Sequence, residues 1–175
     1  MARWGSRVGE GADEANAPLL DYASIAFGYS YRSTAVVAVA EGARPAYLPS
    51  ELSGQPGTRA PHVWLDRDGE RLSTIDLFGR HYVLLTGSDG GAWVEAARSV
   101  TDTGVNAHRI GGDGDLADAD GVWAEAYGVS DRGAVLIRPD GYVAWRSADA
   151  VDDPVQQLTL VLRASLSREQ TIFTG

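Results

Sequence analysis

Apolar residues change their spacing several times along this chain, and each change marks an element. Tyr82–Thr86 (YVLLT) is an unbroken apolar run, as expected of a strand buried on both faces. Directly after it, Trp93, Ala96, Ala97 and Val100 recur at helical spacing and predict an amphipathic helix over Gly91–Val100. Val105–Ile110 predicts the next strand. Trp123, Ala126 and Tyr127 stand at i, i+3 and i+4, so a short helix is expected over Asp120–Tyr127, ended by Gly128. Ala134–Ile137 and Tyr142–Trp145 flank Pro139-Asp140-Gly141, a hairpin signal. Asp153 before Pro154 reads as an N-cap and first helical residue, and Val155, Leu158, Leu162 and Leu166 predict the buried stripe of a last helix.

Upstream the pattern is looser. Ile25, Phe27, Tyr29 and Tyr31 alternate with small or polar residues, a period of two that predicts a half-buried strand running toward Thr34–Val39. Glu41–Thr58 holds Pro45, Pro49, Pro56 and several glycines and reads as a linker. Arg59–Leu65 (RAPHVWL) predicts a short strand, followed by an Asp66–Gly69 turn. A helical turn or loop is expected over Asp76–Gly79.

From Tyr82 onward the predicted order is β-α-β-α-β-β-α. That order is thioredoxin-like, an α/β fold whose central mixed sheet is flanked by helices. Residues 59–175 form this domain, and residues 1–58 are an N-terminal extension with a strand and a Pro/Gly linker. In such folds the junction after the buried strand carries the reactive cysteine. Here the junction is Gly87-Ser88-Asp89-Gly90, and the chain has no cysteine at all. A thiolate is the nucleophile of thiol–disulfide exchange, so that chemistry is excluded by composition. The position of the cis-proline that faces the cysteines in thioredoxin-like enzymes falls near Gly133.

Charge narrows the partners. The net charge is −9, which argues against a phosphate backbone as ligand. No apolar run reaches the roughly 18 residues of a membrane span. The start lacks the apolar core of a secretory signal, so the expected location is cytoplasmic. All basic side chains are arginine, which removes lysine-based Schiff-base and P-loop chemistry. Three histidines and no cysteine leave few soft ligands, and no metal site is expected. Asp113, Asp115, Asp118 and Asp120 cluster among glycines. Their spacing misses the EF-hand pattern, and a solvated loop with one aspartate capping the next helix is the simpler reading. Gly87–Gly91 is read as a tight turn, because Asp89 within it disfavours an anion. His62 in RAPHVWL is either a general base or a side chain whose hydrogen bond pins the linker to the domain. No residue is nominated as catalytic.

A wider resemblance rests on segments that occur in a fixed order. These are Phe27-Gly28-Tyr29-Ser30-Tyr31-Arg32-Ser33, Pro56-Gly57-Thr58-Arg59-Ala60-Pro61-His62-Val63-Trp64-Leu65, Asp76-Leu77-Phe78-Gly79, Val83-Leu84-Leu85-Thr86-Gly87, Tyr127-Gly128-Val129 and Leu136 through Arg146 (LIRPDGYVAWR). Together they resemble the C-terminal part of the FAD-dependent aromatic hydroxylases, the phenol-hydroxylase-like monooxygenases that include enzymes tailoring aromatic polyketide antibiotics. The resemblance implies a thioredoxin-like domain without redox cysteines that shapes the enzyme and contributes to subunit contacts. Flavin and substrate are held upstream in that family. No G-x-G-x-x-G follows a strand near the start, so no cofactor is expected on this chain.

The resulting expectation is a non-redox accessory or assembly domain in aromatic polyketide or phenol metabolism. Its partner is expected to be a second copy, giving a homodimer, or a flavoprotein. Phe27, Tyr29 and Tyr31 are the candidate interface, because an uncovered aromatic strand needs a partner. Two alternatives stay open: one half of a split flavin monooxygenase, or a stand-alone enzyme or binder. In the latter, His62, Trp64, Trp123 and Tyr127 would line a pocket for an aromatic small molecule.

Overall fold

The computed structural model describes residues 30, 47–48, 51–100 and 104–166. The predicted strand bearing Phe27, Tyr29 and Tyr31 lies outside the described residues. In chain order the elements are β1 (Trp64–Arg67), β2 (Glu70–Ser73), a 3₁₀ turn (Thr74–Leu77), β3 (Tyr82–Thr86), α1 (Gly91–Ser99), β4 (Val105–Arg109), α2 (Trp123–Tyr127), β5 (Ala134–Ile137), β6 (Val143–Ser147) and α3 (Pro154–Leu166).

The main sheet has the order β4-β3-β5-β6. β3 runs parallel to β4, and β5 runs antiparallel to both β3 and β6. All five residues of β3 are buried, and alternation divides them between two cores. Tyr82 and Leu84 join Trp93, Ala96 and Ala97 of α1 and Leu158, Val161 and Leu162 of α3. Val83 and Leu85 join Leu65, Leu116, Trp123 and Tyr127 on the opposite face. The unbroken apolar run therefore reflects a strand covered on both sides, and the thioredoxin-like order is realised.

Three local differences from the sequence expectation have physical causes. First, the strand expected at Arg59–Leu65 starts only at Trp64. Pro61 has no N–H to donate to a ladder, and the residues before it bond elsewhere. Gly57 N–H donates to Val143 O (2.8 Å), Val143 N–H to Thr58 O (2.9 Å) and Ala60 N–H to Gly141 O (2.9 Å), so the chain runs along the free edge of β6. Second, β1 pairs with a strand the pattern did not predict, Glu70–Ser73. Asp68 (φ +53°) and Gly69 (φ +86°) form the two-residue turn, the positive-φ pair that matches strand twist. Third, Val155 is 44% exposed rather than part of the buried stripe. The seam of α3 runs through Leu158, Val161, Leu162 and Ser165, so its packing begins one turn inside the helix. The Asp153 cap is present, with Gln156 N–H donating to Asp153 Oδ1 at 2.9 Å.

Residues 51–58, expected within the linker, lie against the domain. Arg146 Nη1 donates to Ser53 O (2.6 Å) and to Tyr127 O at the end of α2 (3.2 Å). A cation at a helix C-terminus also meets the negative end of the helix dipole. Arg146→Ala is expected to cost about 1–2 kcal/mol through the lost charge-assisted bonds. Limited proteolysis should then cut sooner within residues 51–58; an unchanged cleavage pattern would show that the clamp is idle.

Candidate functional site

The strand–helix junction where thioredoxin-like folds place their chemistry is filled by the protein itself. Asp89 N–H donates to Asp131 O at 3.0 Å, and Gly90 N–H donates to Gly87 O at 3.0 Å. A Cβ on Gly87 would stand 2.6 Å from Asp131 Cα and from its carbonyl oxygen. A Cβ on Gly90 would stand 1.7 Å from Thr86 Oγ1, the hydroxyl that donates to Gly133 O at 2.7 Å. At Gly133, where the cis-proline position was expected, a Cβ would meet Ala148 O at 2.6 Å. Side chains are thus excluded at Gly87, Gly90 and Gly133, and the amides of Asp89 and Gly90 are spent on backbone carbonyls.

The four residues expected to share a pocket do not converge. Trp123 and Tyr127 stack at 5.7 Å between ring centroids, are 2% and 0% exposed, and belong to the core beneath the sheet. The i, i+4 spacing that predicted the short helix places both rings in one core cluster with Val83 and Leu85. Tyr127 Oη donates to Pro61 O at 2.7 Å, and burial pushes its phenol well above the ordinary tyrosine value. Trp64 is 44% exposed, edge-on to His62 at 4.8 Å and beneath the Arg71 guanidinium at 4.5 Å. His62 shares a hydrogen bond between Nδ1 and Ser73 Oγ at 2.6 Å. That bond ties the Arg59–His62 segment to the end of β2.

Of these four residues, only His62 lines the open cavity, whose volume is about 880 Å³. Its floor is Arg59–His62, one wall is the 3₁₀ turn with Ile75, Phe78 and Gly79, and the opposite wall is the β5–β6 turn, Pro139–Gly141. Leu52 and Ala126 close the third side. Ala126, the neighbour of Tyr127 on the other helix face, takes the place expected for the aromatic ring. Ile75 is 54% exposed and was passed over in sequence. A branched apolar residue outward on a capped turn was the signal available. Ser73 fixes that turn by accepting from Ile75 N–H (3.1 Å), while Asp76 Oδ2 accepts from Ser73 N–H (2.8 Å), a reciprocal capping box.

Three of the four clustered aspartates, Asp113, Asp115 and Asp118, are spent on protein donors. Asp118 accepts from Gly121 N–H (3.0 Å) and Trp123 N–H (2.7 Å) at the start of α2. Asp115 accepts from Arg109 N–H (2.8 Å) and contacts His108 Nδ1 (2.5 Å), and Asp113 pairs with the Arg109 guanidinium. Among the described residues no group of His, Asp or Glu is arranged to hold a metal ion. Partial burial pushes the Asp115 carboxyl upward, but the bonds from His108 and Arg109 outweigh it and hold it below the usual carboxylate value. A lowered folded-state pKa contributes stability above the unfolded value, lost as pH falls through the folded one. The loop after β4 is therefore expected to loosen only at acidic pH. Amide exchange at Gly111–Ala117 checks this, and Asp115→Asn should remove the acid dependence.

No helix among the described residues is long and apolar enough to cross a membrane. The aromatic-ring hydroxylase C-terminal family matches residues 53–168. The chain is 44% identical over 162 residues to the tetracenomycin A2 monooxygenase-dioxygenase of Streptomyces glaucescens, covering 90% of this chain and 28% of that protein. It is 43% identical over 163 residues to the 4-methyl-5-nitrocatechol 5-monooxygenase of a Burkholderia species, covering 89% of this chain and 30% of that protein. Aklavinone-11 hydroxylase, solved as a ternary complex with FAD and aklavinone, superposes with a TM-score of 0.81 at 42% identity, over 89% of this chain and 29% of that one. This chain thus spans less than a third of the length of each of these three proteins. With the family match running through every element from β1 to α3, the chain belongs to the aromatic-ring hydroxylase C-terminal family.

Proposed function

We propose that this chain is a non-redox accessory and assembly domain for flavin-dependent hydroxylation of an aromatic polyketide or phenolic substrate, acting in the cytoplasm. The flavin chemistry is supplied by a flavoprotein portion corresponding to the rest of the relatives' length, and the oxygen chemistry belongs to that cofactor. The observation that carries this reading is the closed strand–helix junction. Gly87 and Gly90 are packed against Asp131 and Thr86, so the fold's usual reactive position is used for packing. The relatives' names, which describe oxygenation of tetracenomycin A2 and of 4-methyl-5-nitrocatechol, support the substrate class. The partner is a second copy of the chain or the flavoprotein portion, with Phe27, Tyr29 and Tyr31 as the proposed contact.

Size-exclusion chromatography with light scattering and a flavin absorbance scan tests this. The expected result is a colourless homodimer, or a complex that co-elutes with a flavoprotein. Tightly bound flavin on the chain alone, or hydroxylation by it without a partner, would overturn the reading.

A further inference from the structure

The cavity between the 3₁₀ turn and the β5–β6 turn has no role in the scaffold reading, and its volume, about 880 Å³, is that of a small-molecule site. Its walls are mainly apolar: Leu52, Pro61, Ile75, Phe78 and Pro139. Three polar side chains reach it, and they differ in what they have left to offer. Asp140 is satisfied, accepting from Arg138 Nη2 (2.7 Å) and from Tyr142 N–H (3.3 Å). Arg59 is exposed, its guanidinium lies over the Tyr142 ring at 4.9 Å, and no carboxylate among the described residues pairs with it. His62 is held at Nδ1 by Ser73. Ser73 Oγ accepts from Ile75 N–H; in the His62 tautomer that accepts the Ser73 hydroxyl at Nδ1, the ring proton sits on Nε2, which has no partner among the described residues. The cavity therefore combines an apolar body with two unspent donors and a neutralised carboxylate.

We propose that this cavity binds a flat, largely apolar molecule carrying an oxyanion, its body against Ile75, Phe78 and Pro139 and its charged oxygen at Arg59 and His62. The inference does not rest on the assembly role, and the two can fail separately.

The test titrates the full chain with naphthalene-2-carboxylate, followed by amide chemical shifts. Saturable shifts are expected at Ile75, Phe78, Gly79 and Gly141. Arg59→Gln is expected to weaken binding about tenfold, the size of a lost charge-assisted bond. The neutral naphthalene-2-carboxamide should bind more weakly and should not respond to Arg59→Gln. Ile75→Asp should abolish binding of both. Both substitutions sit at exposed positions, so an intact amide spectrum checks that each variant is folded. Shifts that do not saturate, shifts centred elsewhere, or unchanged affinity in Arg59→Gln would overturn the proposal.

Discussion

Gly87→Ala is expected to cost about 3 kcal/mol or more of folding stability, a large share of the roughly 5–15 kcal/mol that holds a domain together. The added methyl would lie 2.6 Å from Asp131 Cα and carbonyl oxygen, well inside contact distance. Those atoms are backbone, so no rotamer change relieves the overlap. The Asp131 carbonyl is also the acceptor for Asp89 N–H, so moving it breaks the turn that leads into α1. Gly90 offers a contrast. There the obstacle is the Thr86 side chain, and pairing Gly90→Ala with Thr86→Ala should recover part of the loss. Gly91→Ala is the control, since a Cβ there meets nothing within 4 Å. In the first turn of α1 it should be neutral or stabilising by about 0.5–1 kcal/mol. Urea denaturation at constant m-value reads all four variants. A Gly87→Ala midpoint equal to wild type would show that the junction is not closed. The same experiment with Gly87→Cys bears on function: a cysteine placed at this point of the junction is expected to destabilise the domain rather than create a thiol enzyme.

Trp93→Ala is the second large effect, with an expected loss of about 4 kcal/mol, as for other buried indoles removed from cores. Trp93 is 1% exposed and meets Trp145 at 5.4 Å between centroids. Its Nε1–H donates to Arg132 O at 3.0 Å. The indole therefore fills the space between α1 and the sheet and also ties down the loop after α2. Trp93→Phe separates the two contributions. It keeps most of the apolar contact and leaves the Arg132 carbonyl without its donor, at a cost of about 1–2 kcal/mol. Thermal unfolding with near-ultraviolet circular dichroism follows both variants, since the tryptophan pair should dominate that signal. Equal losses for Phe and Ala would mean that the hydrogen bond, not packing, carries the residue.

The main sheet was legible because its signals are local and strong. YVLLT has the apolar run of a doubly covered strand, Asp153-Pro154 starts a helix, and Pro139-Asp140-Gly141 turns a hairpin. The β1–β2 hairpin was half legible. Asp68-Gly69 marked a turn, but Glu70-Arg71-Leu72-Ser73 has one apolar residue in four, too few to announce a strand. The cavity was not legible, because its lining comes from five separate stretches of chain, and Arg59 and His62, close in sequence, meet the apolar walls at Ile75, Phe78 and Pro139 only after folding. The aromatic residues drew attention by type. Helical spacing shows that Trp123 and Tyr127 share a face, but it does not say whether that face meets the core or a ligand. Burial under the sheet decided it for the core.

The passage of Gly57–Ala60 along β6 has a consequence for any shortened form of this domain. A sheet's outermost strand carries unspent N–H and C=O groups that recruit other chains into cross-β stacks. Here the amide and carbonyl of Val143 are both consumed by the protein's own backbone, which acts as a built-in guard against that growth. A form trimmed to begin at His62 would lose only Ala60 from the two hydrophobic cores yet bare this strand, and it should precipitate where the longer form stays in solution.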